Sequence, residues 1–141
     1  MAAAPTAPHL LVPLAAELCV RHPHATILIE NLREIESLLR KHGYVGQANA
    51  VARVITAEQA GDRVAFAREV TGLGFWGGAG SVADADLRYN SPRPPEEAAA
   101  DVPRLRQYMV ALADALEHEG LATQRTRDVA STFRYWLAQG V

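Results

Sequence analysis

The strongest periodicity in the chain falls at Leu28, Leu32, Ile35 and Leu39, spaced four, three and four residues apart, with Ile27 and Leu38 widening the stripe. Apolar positions at that spacing share one side of an α-helix, so the pattern predicts a helix over 25–42 with one buried face. Arg40, Lys41 and His42 then meet the negative end of the helix dipole, and Gly43 offers a left-handed cap. Glu36 and Arg40 add an i,i+4 pair in the favourable order. Ala48, Val51, Ala52 and Ile55 predict a second helix over 45–60 that ends at Gly61. Asp62 caps a shorter one through residue 70, with Val64, Ala67 and Phe66 turned inward. Two helices joined so tightly form an αα-hairpin.

In the second half, Leu105, Tyr108 with Met109, Leu112 and Leu116 predict a helix over 101–120, with Pro103 in its first turn. Val129, Phe133, Trp136 and Leu137 predict another that ends at Gly140. A short helix over 13–20 is expected before the His22-Pro23 step, which disfavours helical geometry at His22. No window alternates apolar and polar residues for long enough to propose a strand. The expected architecture is all-α: a single-domain bundle of five or six helices over 13–141, preceded by a flexible segment, 1–12.

Between the halves lies Gly72-Leu-Gly74-Phe75-Trp76-Gly77-Gly78-Ala-Gly80, five glycines in nine residues. That density is too costly for a helix interior, so a shaped Gly-rich central loop is expected. Ser81-x-x-Asp84 follows as a capping box that implies a further helical turn toward Leu87. The run 88–95, which contains three prolines (Pro92, Pro94 and Pro95), reads as an exposed loop.

Composition alters this picture mainly by exclusion. The 141 residues carry 14 Lys+Arg against 16 Asp+Glu, a formal net charge of -2. A general nucleic-acid binder needs excess cations to displace phosphate counterions, and a polybasic membrane anchor needs the same, so neither partner is expected. One cysteine, Cys19, cannot form an intramolecular disulfide. The apolar run 10–20 is broken by Pro13 and Glu17 and lacks a basic leader, which points to a soluble cytoplasmic protein.

The candidate chemistry is thin. Gly72-x-Gly74-x-x-Gly77 matches a dinucleotide fingerprint in letters, but that chemistry needs a strand before the glycines, and here a helix precedes them. Cys19, His22 and His24 have no second ligand pair, so no metal is expected. Ser81, Ser91 and Ser131 lack a nucleophile elbow. Arg104, Arg106, Arg125, Arg127 and Arg134 are offset by nearby carboxylates and read as solvated helix faces. Phe75 and Trp76 have two readings: buried anchors of the loop, or one ring turned outward to hold a partner.

Leu38-Leu39-Arg40-Lys41-His42-Gly43, followed by Trp76-Gly77-Gly78-Ala79-Gly80-Ser81 and Asp84, resembles a family of small uncharacterised bacterial helical proteins. The similarity covers residues 28–88. It implies a helical fold and, because such proteins often sit beside toxin genes, an immunity-type role. The expectation is therefore a non-enzymatic protein-binding module, monomeric or homodimeric. It would neutralise a toxin through Phe75, Trp76, Ser81 and Asp84, with no cofactor; Gly72, Gly74, Gly77, Gly78 and Gly80 would shape the loop. The alternative is a small-ligand or nucleotide/anion-binding protein that uses the backbone amides of 72–80 as a nest.

Overall fold

The computed structural model describes residues 23–141, so the expected 1–12 segment, the 13–20 helix, Cys19 and His22 lie outside the described residues. The described chain is all-α. Helix α1 spans Pro23–Lys41, α2 Val45–Gln59, α3 Arg63–Val70, α4 Leu73–Trp76, α5 Pro95–His118 and α6 Gln124–Gln139, with one 3-10 turn at Val82–Asp84. Among the described residues there is no strand, and no helix is long and apolar enough to cross a membrane. Helix α1 packs against α2 and α5, α5 against α6, and α2 against α3.

The predicted stripe of α1 is the centre of the core: Leu32, Ile35 and Leu39 are fully enclosed. Ile27 is not part of it, standing half exposed at the helix edge. The turn out of α1 satisfies its last carbonyls locally, with the Tyr44 amide on Leu39 at 2.8 Å and the Gly43 amide on Arg40 at 3.1 Å. Gly43 takes the left-handed conformation this requires (φ +84°). In α3 the buried positions are Phe66 and Val70, four residues apart, while Val64 faces solvent. The ring of Phe66 sets that rotation, because it removes more apolar area from water than a valine can.

Helix α5 begins six residues earlier than the predicted 101, at Pro95. Both Pro95 and Pro103 are candidates for a first turn, where a missing amide costs nothing. Glu96 and Glu97 on the positive end of the dipole and the alanine run 98–100 decide for Pro95. Pro103 is left inside the helix. The carbonyl it fails to satisfy belongs to Ala99, which is exposed to water.

The Gly-rich segment contains a helical turn, α4, rather than loop throughout. Its end is sterically fixed: the Gly77 amide donates to Leu73 at 2.8 Å, and a Cβ at Gly77 would stand 2.2 Å from that same carbonyl oxygen. A Cβ at Gly74 meets nothing within 4 Å. Gly77→Ala should therefore cost at least about 2 kcal/mol, the range of backbone clashes and buried strain. Gly74→Ala should be neutral or slightly stabilising by reducing unfolded-chain freedom. Urea unfolding of the two variants in parallel checks this; equal stabilities would contradict it.

Candidate functional site

Two features of the structure bring together chemistry that is scattered in sequence. The first is a buried polar hub. Asp101 on α5 is 4 % exposed, and His42, just past the end of α1, is 1 % exposed. Asp101 Oδ2 accepts from Lys41 Nζ at 2.7 Å and from His42 Nε2 at 2.9 Å, while Oδ1 accepts from Arg104 Nη1 at 2.9 Å. Lys41 also pairs with Glu97 at 2.9 Å. On the other ring nitrogen, His42 Nδ1 lies 2.7 Å from Ser91 Oγ.

The protonation pattern follows from the carboxylate. Burial alone would raise the pKa of Asp101, but hydrogen bonds from Lys41, His42 and Arg104 outweigh it and hold the group well below the usual carboxylate range. An ionised carboxylate only accepts, so His42 Nε2 carries the proton that faces it. The Ser91 oxygen also accepts from the Arg93 amide at 3.1 Å, closing a turn at the start of the proline run.

Ser91, His42 and Asp101 are connected in the order of a hydrolase triad, yet the arrangement is that of a brace. The carboxylate is shared with a half-buried lysine and an exposed arginine, the imidazole is enclosed, and the cleft described next includes none of the three. Its effect is to pin the end of α1 to α5 and to tie the 88–94 connection to both.

The second feature is a cleft of about 550 Å³ between α5, α6 and the chain 82–88. Val102, Leu105 and Met109 of α5 and Val129 and Phe133 of α6 give it apolar walls. Gly77, Val82 and Leu87 close the remaining side. Its polar groups are Asp84, Asp86, Arg88, Arg106, Asp128 and Thr132. Asp86 holds Arg88 through both oxygens, at 3.0 and 3.1 Å, which keeps the Asp86 pKa low. Asp84 accepts from the Gly80 amide at 3.1 Å, and Asp128 from Gln124 at 2.9 Å.

Arg106 stands apart. Its guanidinium lies over the Trp136 ring, 4.6 Å from the centroid, and Nη1 donates to the backbone oxygen of Val141, the last residue of the sequence. No Asp or Glu side chain among the described residues forms a salt bridge with it. Burial pushes its pKa down, Arg88 adds to the effect, and Asp86 opposes it. The expectation of a fully solvated arginine face therefore fails at this position, and Trp136 is a partly exposed wall of the cleft rather than core.

The residues singled out from sequence mostly build this cleft from behind. Phe75 and Trp76 are each 1 % exposed, with ring centroids 5.4 Å apart, and Trp76 Nε1 donates to the Val70 carbonyl at 2.7 Å. Neither ring is an outward anchor. Ser81 is also buried, donating to the Gly77 carbonyl at 2.6 Å and accepting from the Asp84 amide at 3.2 Å. Only Asp84 of the four reaches solvent. Of the amides expected to form an anion nest, those of Phe75, Trp76 and Gly77 are bonded within the segment, that of Gly72 to the Glu69 carbonyl and that of Gly80 to the Asp84 side chain.

No family model, curated protein or solved structure matches the chain. What the protein does has to be read from this geometry.

The hub makes a pH-dependent prediction. Because the folded-state pKa of Asp101 is depressed, the stability it contributes is complete above the unfolded value of about 3.9. It is lost as pH falls below that value toward the folded one. Asp101→Asn should cost about 2–4 kcal/mol at pH 7, since His42 and two cations lose a buried counter-charge. The gap between wild type and variant should narrow from pH 4 to pH 2.5. Urea unfolding across that range checks it; a gap that does not change with pH would contradict it.

Proposed function

We propose that this is a non-enzymatic binding protein whose ligand is a small, largely apolar molecule seated in the cleft between α5, α6 and residues 82–88. The observation that carries the reading is the cleft itself. Its volume of about 550 Å³ lies in the ordinary range for small-molecule sites, and its walls are apolar with a few polar groups among them. An apolar surface of that kind gains free energy when a ligand displaces water from it.

The rigid surroundings also favour this reading. Gly77, Val82 and Leu87 are held in place by the bonded turn 77–84, and Tyr44 donates to the Asp86 carbonyl and to that of Tyr89 at 3.1 Å. A preformed site spends little binding energy on ordering itself. A toxin-binding role would have to use some surface other than Phe75, Trp76 and Ser81, which the fold encloses.

Thr132 sits on an exposed turn of α6 at the rim of the cleft, with its hydroxyl on the Asp128 carbonyl. Thr132→Trp should fill the cleft from its edge without disturbing the core. Wild-type protein should bind 1-octanol saturably at 1:1 and gain about 2.7 kcal/mol of stability at 100 times the dissociation constant. Thr132→Trp should lose most of that gain with its circular dichroism unchanged. Calorimetry and thermal unfolding check both; equal binding by the folded variant would remove the cleft as the site.

A further inference from the structure

The polar hub holds one atom whose chemistry its bracing role leaves unused, the hydroxyl oxygen of Ser91. His42 and Asp101 are enclosed, whereas Ser91 is partly exposed. His42 Nε2 has its proton committed to Asp101 at 2.9 Å, so Nδ1 of the neutral ring presents a lone pair to Ser91 Oγ at 2.7 Å. The hydroxyl proton is thereby aimed at Nδ1. One lone pair of Oγ accepts from the Arg93 amide at 3.1 Å, which fixes the side chain, and the other is left for an electrophile. A hydroxyl against a positioned base, with the base held by a third group, is the arrangement that makes serine nucleophilic.

We propose that Ser91 is a covalent acyl-acceptor site, which takes the acyl group of an activated ester or thioester in a single event. Oγ attacks the carbonyl carbon while its proton passes to His42 Nδ1. The Oγ–C bond forms, the bond to the leaving oxygen or sulfur breaks, and the leaving group departs as an anion with the electron pair. An activated donor releases a stable anion, so the site needs no acid. The proton stays on the ring, where the Asp101 carboxylate balances its charge. A ring already protonated at Nδ1, and 1 % exposed, is no base for an incoming water, so the ester persists. The enclosure that unfits these three residues for turnover is what keeps the acyl group in place. Neither the reaction nor its test involves the cleft.

The chain has four serines, and two of the others give the test an internal scale. Ser37 and Ser131 are more exposed than Ser91, and their side chains make no hydrogen bond among the described residues. The full chain is treated with excess p-nitrophenyl acetate at pH 7.5, and acetyl groups are located and timed by peptide mass spectrometry. Ser91 should be acetylated about a hundredfold faster than Ser37 or Ser131, the lower end of what a positioned base contributes. Its acetyl group should remain after the reagent is removed. His42→Gln, checked for folding by circular dichroism, should bring Ser91 down to the rate of the other two. Should that variant unfold, the comparison among serines in the wild-type chain decides alone.

Labelling that follows exposure, with Ser37 and Ser131 level with or ahead of Ser91, would overturn the assignment. So would a Ser91 preference that survives in folded His42→Gln. Release of p-nitrophenol well beyond one equivalent, abolished by Ser91→Ala, would overturn the single-event acceptor in favour of turnover.

Discussion

One buried carboxylate organises the molecule. Asp101 is nearly solvent-free, and an isolated ionised group in that position would be prohibitively costly. It is stable only because Lys41 and His42 arrive from one helix end while Arg104 arrives from its own helix. Meeting that requirement fixes the end of α1 against the first third of α5. Through the imidazole it also fixes Ser91 and hence the chain that connects the two halves. Tyr44, two residues beyond His42, then clamps the carbonyls of Asp86 and Tyr89. The chain 82–88 is one side of the cleft, so the charge balance at Asp101 is transmitted to the place where a ligand would sit.

The glycine and aromatic motif serves the same end from the opposite direction. Trp76 spends its indole N–H on Val70 and packs at a tilt against Phe75, which roots the segment in the core. Gly77 then ends α4 where no side chain fits, and Ser81 and Asp84 lock the following turn through 77 and 80. The residues with the strongest signature in the sequence thus shape one wall of the cleft, and the apolar faces of α5 and α6 supply the others.

What was legible in the sequence was whatever repeats at short range. The stripe Leu28-Leu32-Ile35-Leu39, the glycine after α1 and the cap at Asp62 each act within a few residues, and the helices appear where those signals fall. Legibility failed where two local signals compete, as with Pro95 and Pro103 for the start of α5. It failed also where size decided over periodicity, as with Phe66 over Val64. The hub was illegible in principle, because His42 and Asp101 lie 59 residues apart and each looks ordinary in its own stretch of sequence. Arg106 was hidden differently: in sequence it reads as one more arginine of a charge-balanced helical half, and only packing against Trp136 takes it out of the solvated face.

The central claim is that the space between α5 and α6 is a ligand site, and one side chain in it reports directly. The chain has two methionines, Met1 and Met109, and Met109 lines the cleft at 1 % exposure. With methyl-labelled methionine, the Met109 signal should shift saturably as 1-octanol is titrated, reaching a plateau at one equivalent bound. A Met109 methyl that stays in place at octanol concentrations that stabilise the protein would put the ligand elsewhere and contradict the account.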